Sequence, residues 1–413
     1  MSDTKILILG QIIKGGYIQT VNNFVKVLMN NGALLLNHTE IYQKYGCHGT
    51  EKHITNFIND NKTNSIIYLP SAFEFYFDIH FLEKLRKENF LAMFAGEIET
   101  NYESLIQYYA QATDLVFFSN FTSQSVLRQI GINSMPYWGW WNPEDYQNLD
   151  NIEKNLDVSF MGQVLDKTGR QSFINYLLEN RINIETFGLG SKNGLISEKE
   201  KVKLYKRTKI NLNLSGVTEK TRLTGKFGIH RRSKQFKINL FEIAFCGGFV
   251  LSEYVPGIEN LFEIGKEIDV FSDKHELLEK VKYYLEHEEE RENIARKGRE
   301  KVYKERKFDV KHAAPELIST ISELRIKKIY KSSEIYLDER FIRNYTTFRV
   351  FLILRFMKSW KWKFAFEEFK IILKYRKLDW YQIRIFFIEE ILDKFPKIKS
   401  VLKLIFEGNK QRQ

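Results

Sequence analysis

Short apolar segments alternate with amphipathic helical stretches in two separate series, and this alternation constrains the chain more than any other feature. The first series has strand candidates at 5–10, 65–69, 90–94 and 115–118, interleaved with helical spacing at 19–30, 50–59, 77–87, 103–112 and 123–130. The second has strand candidates at 157–162, 184–188, 210–214 and 249–251, with helices at 170–180, 197–208, around Glu242, 274–287 and 289–305. Strands that read as unbroken apolar runs are buried on both faces, so each series predicts a parallel sheet built from βαβ units. Between the series lies Pro136-Tyr-Trp-Gly-Trp-Trp-Asn-Pro143, which has no periodicity and reads as a hinge. Two parallel α/β domains joined there face each other across a cleft at the carboxyl ends of their strands, where such sheets bind ligands.

A chain of 413 residues exceeds what one core organises, and 43% hydrophobic with 28% charged residues is a soluble, globular balance. The expected division is 1–143, 144–320 and a tail from 321 to 413. Cys47 and Cys246 stand far apart with no CxxC, which implies a reducing compartment and neither disulfides nor zinc. The early apolar run Ile6–Leu9 is too short for a signal peptide, and no run approaches the ~20 apolar residues of a membrane span. The expected location is the cytoplasm, with peripheral contact at the inner face of the membrane as the alternative. The net charge of +11 is a property of the tail. Residues 321–413 carry 22 Lys and Arg against 11 Asp and Glu, and the rest of the chain cancels.

The run 241–267, FEIAFCGGFVLSEYVPGIENLFEIGKE, predicts a helix ending at Gly247-Gly248, a buried strand, the Pro256-Gly257 turn and a further helix. Glu242 is the carboxylate of the first helix, whose first turn is expected near 233–237 and is fed by a cationic loop, 226–232, containing His230, Arg231 and Arg232. A helix N-terminus attracts a diphosphate, and a nearby carboxylate suits ribose hydroxyls. Spacing alone fits equally a surface Glu on an amphipathic helix. Phe160-Met-Gly162 followed by Lys167-Thr-Gly-Arg170 places two cations in a loop after a strand, where they can stabilise a leaving diphosphate. Two solvated surface cations would look the same. Gly188 ends the next strand candidate. Gly15-Gly16-Tyr17 after the first strand lets a ligand approach the backbone, but it is not GxGxxG, and a plain βα turn has this pattern too. Glu97 and Glu99, after the 90–94 strand, and His230 are candidates for a base. The remaining histidines have no metal spacing and no Asp-x-Asp is convincing, so no metal or other cofactor is expected.

The segment from Asp157 to Phe308 resembles the C-terminal half of GT-B glycosyltransferases, most closely the CgeB-like spore-maturation branch. The resemblance rests on Phe241-Glu242, Cys246-Gly-Gly-Phe249, Pro256-Gly257 and Gly265-Lys-Glu267 in order and spacing. It implies two Rossmann-like domains facing a cleft plus a C-terminal helical extension, with a nucleotide-sugar as donor. Glu242 would bind the ribose, and Lys167, Arg170, Arg231, Arg232 and the glycines 162, 188, 247 and 248 the rest of the donor. The loop Gly15–Tyr17 would face the acceptor and sugar, with Glu97 or His230 as base. Gln163 stands where an Arg often follows the glycine, and Lys234 stands eight positions before Glu242 where many retaining members have a second glutamate. The implied reaction moves a sugar to a saccharide, lipid-linked or protein acceptor. A nucleotide-sugar epimerase and an inactive GT-B-like scaffold are the rivals.

The tail sets helically spaced Phe, Leu and Ile among basic residues. Packing against the domains or a second subunit is the favoured reading, and an anionic membrane surface is the next. Nucleic acid is not expected, because no binding motif accompanies the charge.

Overall fold

The computed structural model describes residues 4–11, 19–70, 74–96, 98–147, 152–164, 169–218, 232–332 and 334–390. The first domain contains β1 (Ile6–Gly10), α1 (Gln19–Asn30), β2 (Leu34–Asn37), α2 (His38–Asn61), β3 (Ser65–Tyr68), α3 (Ile79–Glu88) and β4 (Phe90–Phe94). It continues through α4 (Ile98–Asn101), α5 (Gln107–Tyr109), β5 (Leu115–Phe118), α6 (Phe121–Gln129) and β6 (Ser134–Pro136). Its six strands are all parallel, in the order β2-β1-β3-β4-β5-β6. β1, β3 and β5 are buried at every position, which is why their sequences show no alternation. Two of these strands were not expected. β2 is four residues directly after a turn at Gly32 (φ +91°), and β6 is three residues ending on Pro136, which an edge strand tolerates. The helix expected at 50–59 starts at His38 instead, and bends at Gly46 (φ 71°, ψ −172°).

The second domain contains β7 (Leu156–Met161), α7 (Arg170–Glu179), β8 (Ile184–Phe187), α8 (Glu198–Arg207), β9 (Thr208–Asn213), β10 (Gly216–Thr218), β11 (Arg232–Lys234), α9 (Ile238–Phe245) and β12 (Val250–Glu253). β13 (Asp269–Phe271), α10 (Lys274–Glu286) and α11 (Glu288–Lys304) complete it. Its parallel sheet runs β13-β12-β9-β7-β8, and β10 pairs with β11 as a separate antiparallel arm. The helix expected after Pro256-Gly257 is a single 3-10 turn, Ile258–Asn260, followed by a turn at Gly265 (φ +77°) that leads into β13.

Two crossings join the domains side by side. Trp141 donates its N–H to the Phe308 carbonyl (3.3 Å) and accepts from the Val310 N–H (2.8 Å). The Trp141 indole stacks on Phe241, 4.2 Å between ring centres, and the hinge tryptophans join one apolar cluster with residues of both domains. After the second crossing, α12 (Val310–Ile326) packs on α1 of the first domain. α13 (Glu339–Lys358), α14 (Trp362–Tyr375) and α15 (Trp380–Glu390) follow. Phe341, Tyr345, Phe348, Leu352 and Phe356 of α13 share one apolar cluster with Tyr42, Phe75 and Tyr109 of the first domain. The tail is therefore built into that domain. Both cysteines are buried, and burial pushes the Cys47 thiol up to about 12, so it stays protonated.

Candidate functional site

Both sheets change direction at their first strand. β1 lies between β2 and β3, and β7 lies between β8 and β9. Chains that leave such a strand on opposite sides open a crevice at its carboxyl end. The two crevices face each other here. Between them is a cavity of about 930 Å³, lined by Gln11 and Leu69 from one side and by Gly162 and Asn213 from the other. Trp138, Trp140 and Trp141 of the hinge close one wall. That volume suits a ligand of nucleotide-sugar size.

Two helices point their N-termini into this cavity without a side-chain cap. α7 begins at Arg170 behind Gly169 (φ 67°), and α9 begins at Ile238 behind an extended Lys237. Uncapped N–H groups and the helix dipole together favour an anion. The first turn of α9 is thus Ile238–Phe241 and not 233–237. Ser233 and Lys234 belong to the β10–β11 ladder, and Gln235 donates its N–H to the Ser215 carbonyl (3.1 Å), which holds the strand geometry to that point. Asn239 anchors the α9 start by donating to the Met161 carbonyl. Arg170 is buried. It donates to the Gln163 carbonyl (2.9 Å) and sits over the Phe160 ring, so it shapes the 162–164 loop as well as lining the cavity. Gly188 (φ +114°) supports the same loop. A Cβ there would stand 2.4 Å from the Gly162 carbonyl oxygen.

Glu242 projects from the second turn of α9 and is 3% exposed. Its Oε1 accepts from Lys201 Nζ (3.0 Å), and the Tyr205 hydroxyl lies 3.5 Å from Oε2. Lys201 also pairs with Glu198 (2.6 Å). Burial by itself would push the Lys201 amine down, but Glu242 and Glu198 hold it above its ordinary value. The opposite holds for Glu198, which burial raises. The pair fixes the Glu242 carboxylate at the cavity wall, with lone pairs left for further donors. The capping box of α8, Ser197 with Glu200, fixes the turn that presents Glu198 and Lys201.

On the opposite wall Glu99 accepts from Ser123 Oγ (2.7 Å) and Thr122 Oγ1 (3.3 Å). The Gln235 amide bridges the domains. Its nitrogen donates to Glu99 Oε2 (3.3 Å), and its oxygen accepts from Lys237 Nζ (2.7 Å). Burial raises the Glu99 carboxyl above the ordinary range, against hydrogen bonds from Ser123, Asn120 and Thr122 that lower it. Glu253, fully buried at the end of β12, accepts the N–H groups of Ser215 (3.0 Å) and Gly216 (3.1 Å) and so shapes the loop after β9. Lys234, at the position of the missing second glutamate, lies 3.6 Å from Glu253. Among the described residues no three His, Cys, Asp or Glu come together as a metal site.

Comparison with solved structures matches this geometry. Sucrose-phosphate synthase (tll1590) from Thermosynechococcus elongatus superposes with a TM-score of 0.58 at 10% identity, covering 79% of this chain and 100% of that one. Anabaena Alr3699/HepE in complex with UDP-glucose gives 0.55 at 14%, covering 77% and 99%. A glycosyltransferase from Rickettsia africae ESF-5 gives 0.53 at 12%, covering 78% and 98%. The chain has the GT-B fold. Residues 170–319 also match the glycosyl transferase-like family model, which covers less than half of the chain. No curated protein matches it.

Within the GT-B frame the sequence-derived residues separate into three groups. Glu242, Arg170 and Gly162 line the cavity, and Gly188 stands directly behind Gly162. Gly247 (φ +72°) and Gly248 are not brought to it. They close the C-terminal end of α9, where a Cβ on Gly248 would meet the Tyr205 carbonyl at 2.9 Å, before the amino end of β12 and so opposite the carboxyl strand ends that open on the cavity. Neither lines the cavity, and where they stand they serve the packing of α9 against its neighbours. Gly15, Gly16, Tyr17, Glu97, Lys167, His230 and Arg231 lie outside the described residues, as does the side chain of Arg232 on β11. Sequence reasoning did not single out Lys201, Glu198, Gln235, Lys237 or Glu253. Of these only Ser197-x-x-Glu200 carried a local signal, the capping box that orients Lys201.

Proposed function

We propose that the protein is a glycosyltransferase that moves a sugar from a nucleotide-sugar donor to a saccharide, lipid-linked or protein acceptor, without a metal ion. The observation that carries this reading is the cavity between the two strand-end crevices, which combines two uncapped helix N-termini with a buried carboxylate paired to a lysine. Anabaena Alr3699/HepE, of the same fold, holds UDP-glucose. In the CgeB-like branch, which we infer from the spacing of Phe241-Glu242, Cys246-Gly-Gly-Phe249 and Gly265-Lys-Glu267, the donor belongs to the second domain.

Glu242 then accepts the ribose hydroxyls, and Lys201 holds it in place for that task. The diphosphate rests against the starts of α7 and α9 beside Lys237, with Arg170 holding the Gly162–Gln163 loop in place. Lys167, His230, Arg231 and Arg232 add further cations. Charge on the leaving diphosphate grows as the glycosidic bond breaks, so fixed dipoles and cations lower the barrier without a metal. The first domain presents the acceptor. Glu99, raised in pKa and facing the cavity, takes the proton of the acceptor hydroxyl, with Glu97 and His230 as the other candidates.

Calorimetric titration with UDP and GDP tests the donor site directly. One of the two should bind, and Glu242→Ala should weaken that binding by roughly ten- to a hundredfold, the value of a hydrogen bond to a charged group. Unchanged affinity in the folded variant refutes the ribose assignment, and binding of neither nucleotide refutes the donor site.

A further inference from the structure

α14 carries two apolar faces, and among the described residues only one of them is packed against the rest of the fold. At about 100° per residue, Ala365, Glu368 and Ile372 turn toward the rest of the fold, and all three are buried. Trp362, Phe366, Phe369 and Leu373 fall together within an arc of roughly 60° on another side of the helix. They are 54%, 59%, 45% and 51% exposed. Trp360 continues the row, with its ring centre 6.3 Å from that of Trp362 and 81% of its surface exposed. A surface helix with one packing partner needs one apolar stripe. A second stripe of large aromatic residues left in water marks an interaction surface.

Charge identifies the partner. Lys363, Lys370 and Lys374 form a parallel row along one flank of the stripe, and Lys370 sits over the Phe366 ring. Neither carboxylate of α14 reaches the apolar row. Glu368 is fully buried against Arg349, and Glu367 turns inward against Gly46. An aromatic row edged by lysines, on a helix too short and too charged to cross a bilayer, has the chemistry of a helix lying in the headgroup region of an anionic membrane. Two copies of this face would bring their lysine rows together, and nucleic acid makes no use of the leucine. We infer that the outer face of α14 docks the protein on an anionic membrane surface, with Trp360, Trp362, Phe366 and Phe369 entering the interface and the lysines contacting lipid phosphates.

Vesicle co-sedimentation of the full chain tests this, with phosphatidylcholine alone and with phosphatidylcholine containing about a third phosphatidylglycerol. The protein should pellet with the anionic vesicles and remain largely in solution with the neutral ones. Trp362→Ser/Phe366→Ser/Phe369→Ser should lower partitioning at least about tenfold, and Lys363→Glu/Lys370→Glu/Lys374→Glu by on the order of a hundredfold. All six positions are exposed, so both variants should keep the wild-type circular dichroism and nucleotide affinity, which separates this surface from the donor cavity. No pelleting with anionic vesicles overturns the inference. So does undiminished pelleting of either variant, or a dimer in sedimentation equilibrium that the Ser variant dissociates while vesicles are ignored.

Discussion

Glu242 and Glu99 are both carboxylates in one cavity, yet their surroundings prepare them for different work. Glu242 pairs with the Lys201 ammonium at 3.0 Å, which fixes its orientation as an acceptor. Glu99 meets only hydroxyls and amides, and burial raises it above the roughly 4.3 of a free glutamate. A base works only when ionised, so a raised pKa means that activity is lost as pH falls through a value above that of an ordinary Glu. The acidic limb of kcat/KM should therefore lie above pH ~4.3, and Glu99→Gln should remove most of the rate together with that limb while nucleotide affinity stays within about twofold. An unshifted limb in Glu99→Gln, measured with the same donor, would assign the base elsewhere. Glu242 was legible in the chain because a carboxylate stood just before a Gly-Gly turn in a βα series. Lys201 was not, because a lysine on a charged helix, EKEKVKLYKR, has no local mark that separates it from its solvated neighbours. What distinguishes it is the turn of α8 that aims it at α9, a tertiary fact.

Among the elements, the strands that the sequence showed are β1, β3, β4, β5, β7, β8, β9 and β12, each four residues or longer with at least three of them buried. β2, β6 and β13 are three or four residues long and lie at or next to sheet edges, where partner strands and not local pattern decide the conformation. The start of α9 was placed too early for a related reason. Ser233 and Lys234 pair with β10, a contact invisible in the sequence between 219 and 231. The loop after β7 depends equally on its neighbour. Gly188 has a φ of +114° and no room for a Cβ beside Gly162, whereas Gly194, with a φ of +66°, has nothing within 4 Å of the same position. Strain at a positive φ costs about 1–3 kcal/mol in either case. Gly188→Ala must in addition displace the Gly162 carbonyl, so it should be the more destabilising in urea and should weaken nucleotide binding, while Gly194→Ala leaves binding unchanged. Equal effects of the two on affinity would separate Gly162 from the donor site.

For the molecule as a whole, the tail is the part whose composition said least about its place. Its charge and aromatic spacing fit a helix on a domain, on a membrane or on a second copy, and the structure shows that one chain serves the first of these through α13 and the inner face of α14. The join is polar at its centre. Arg349 and Glu368, both 0% exposed, pair at 3.2 Å, and Tyr42 of α2 donates to Glu368 while accepting from Arg349 (2.9 Å). Burial works against the charge on both: it raises the Glu368 carboxyl against the pull of Arg349, whereas Tyr42, Tyr345 and Glu368 together hold Arg349 above its ordinary value against burial. Removing one member leaves an uncompensated buried charge, which costs about 3–5 kcal/mol, whereas replacing both by apolar residues removes the desolvation penalty with the attraction. Arg349→Met alone and Glu368→Leu alone should each destabilise the first domain in equilibrium urea unfolding by that amount. The double variant should be less destabilised than either, even though both substitutions lie more than 300 residues from the strand β1 whose domain they support. Additive losses in the double variant would mean that the pair is screened by water, and that apolar packing of Phe348 and Leu352 alone attaches the tail.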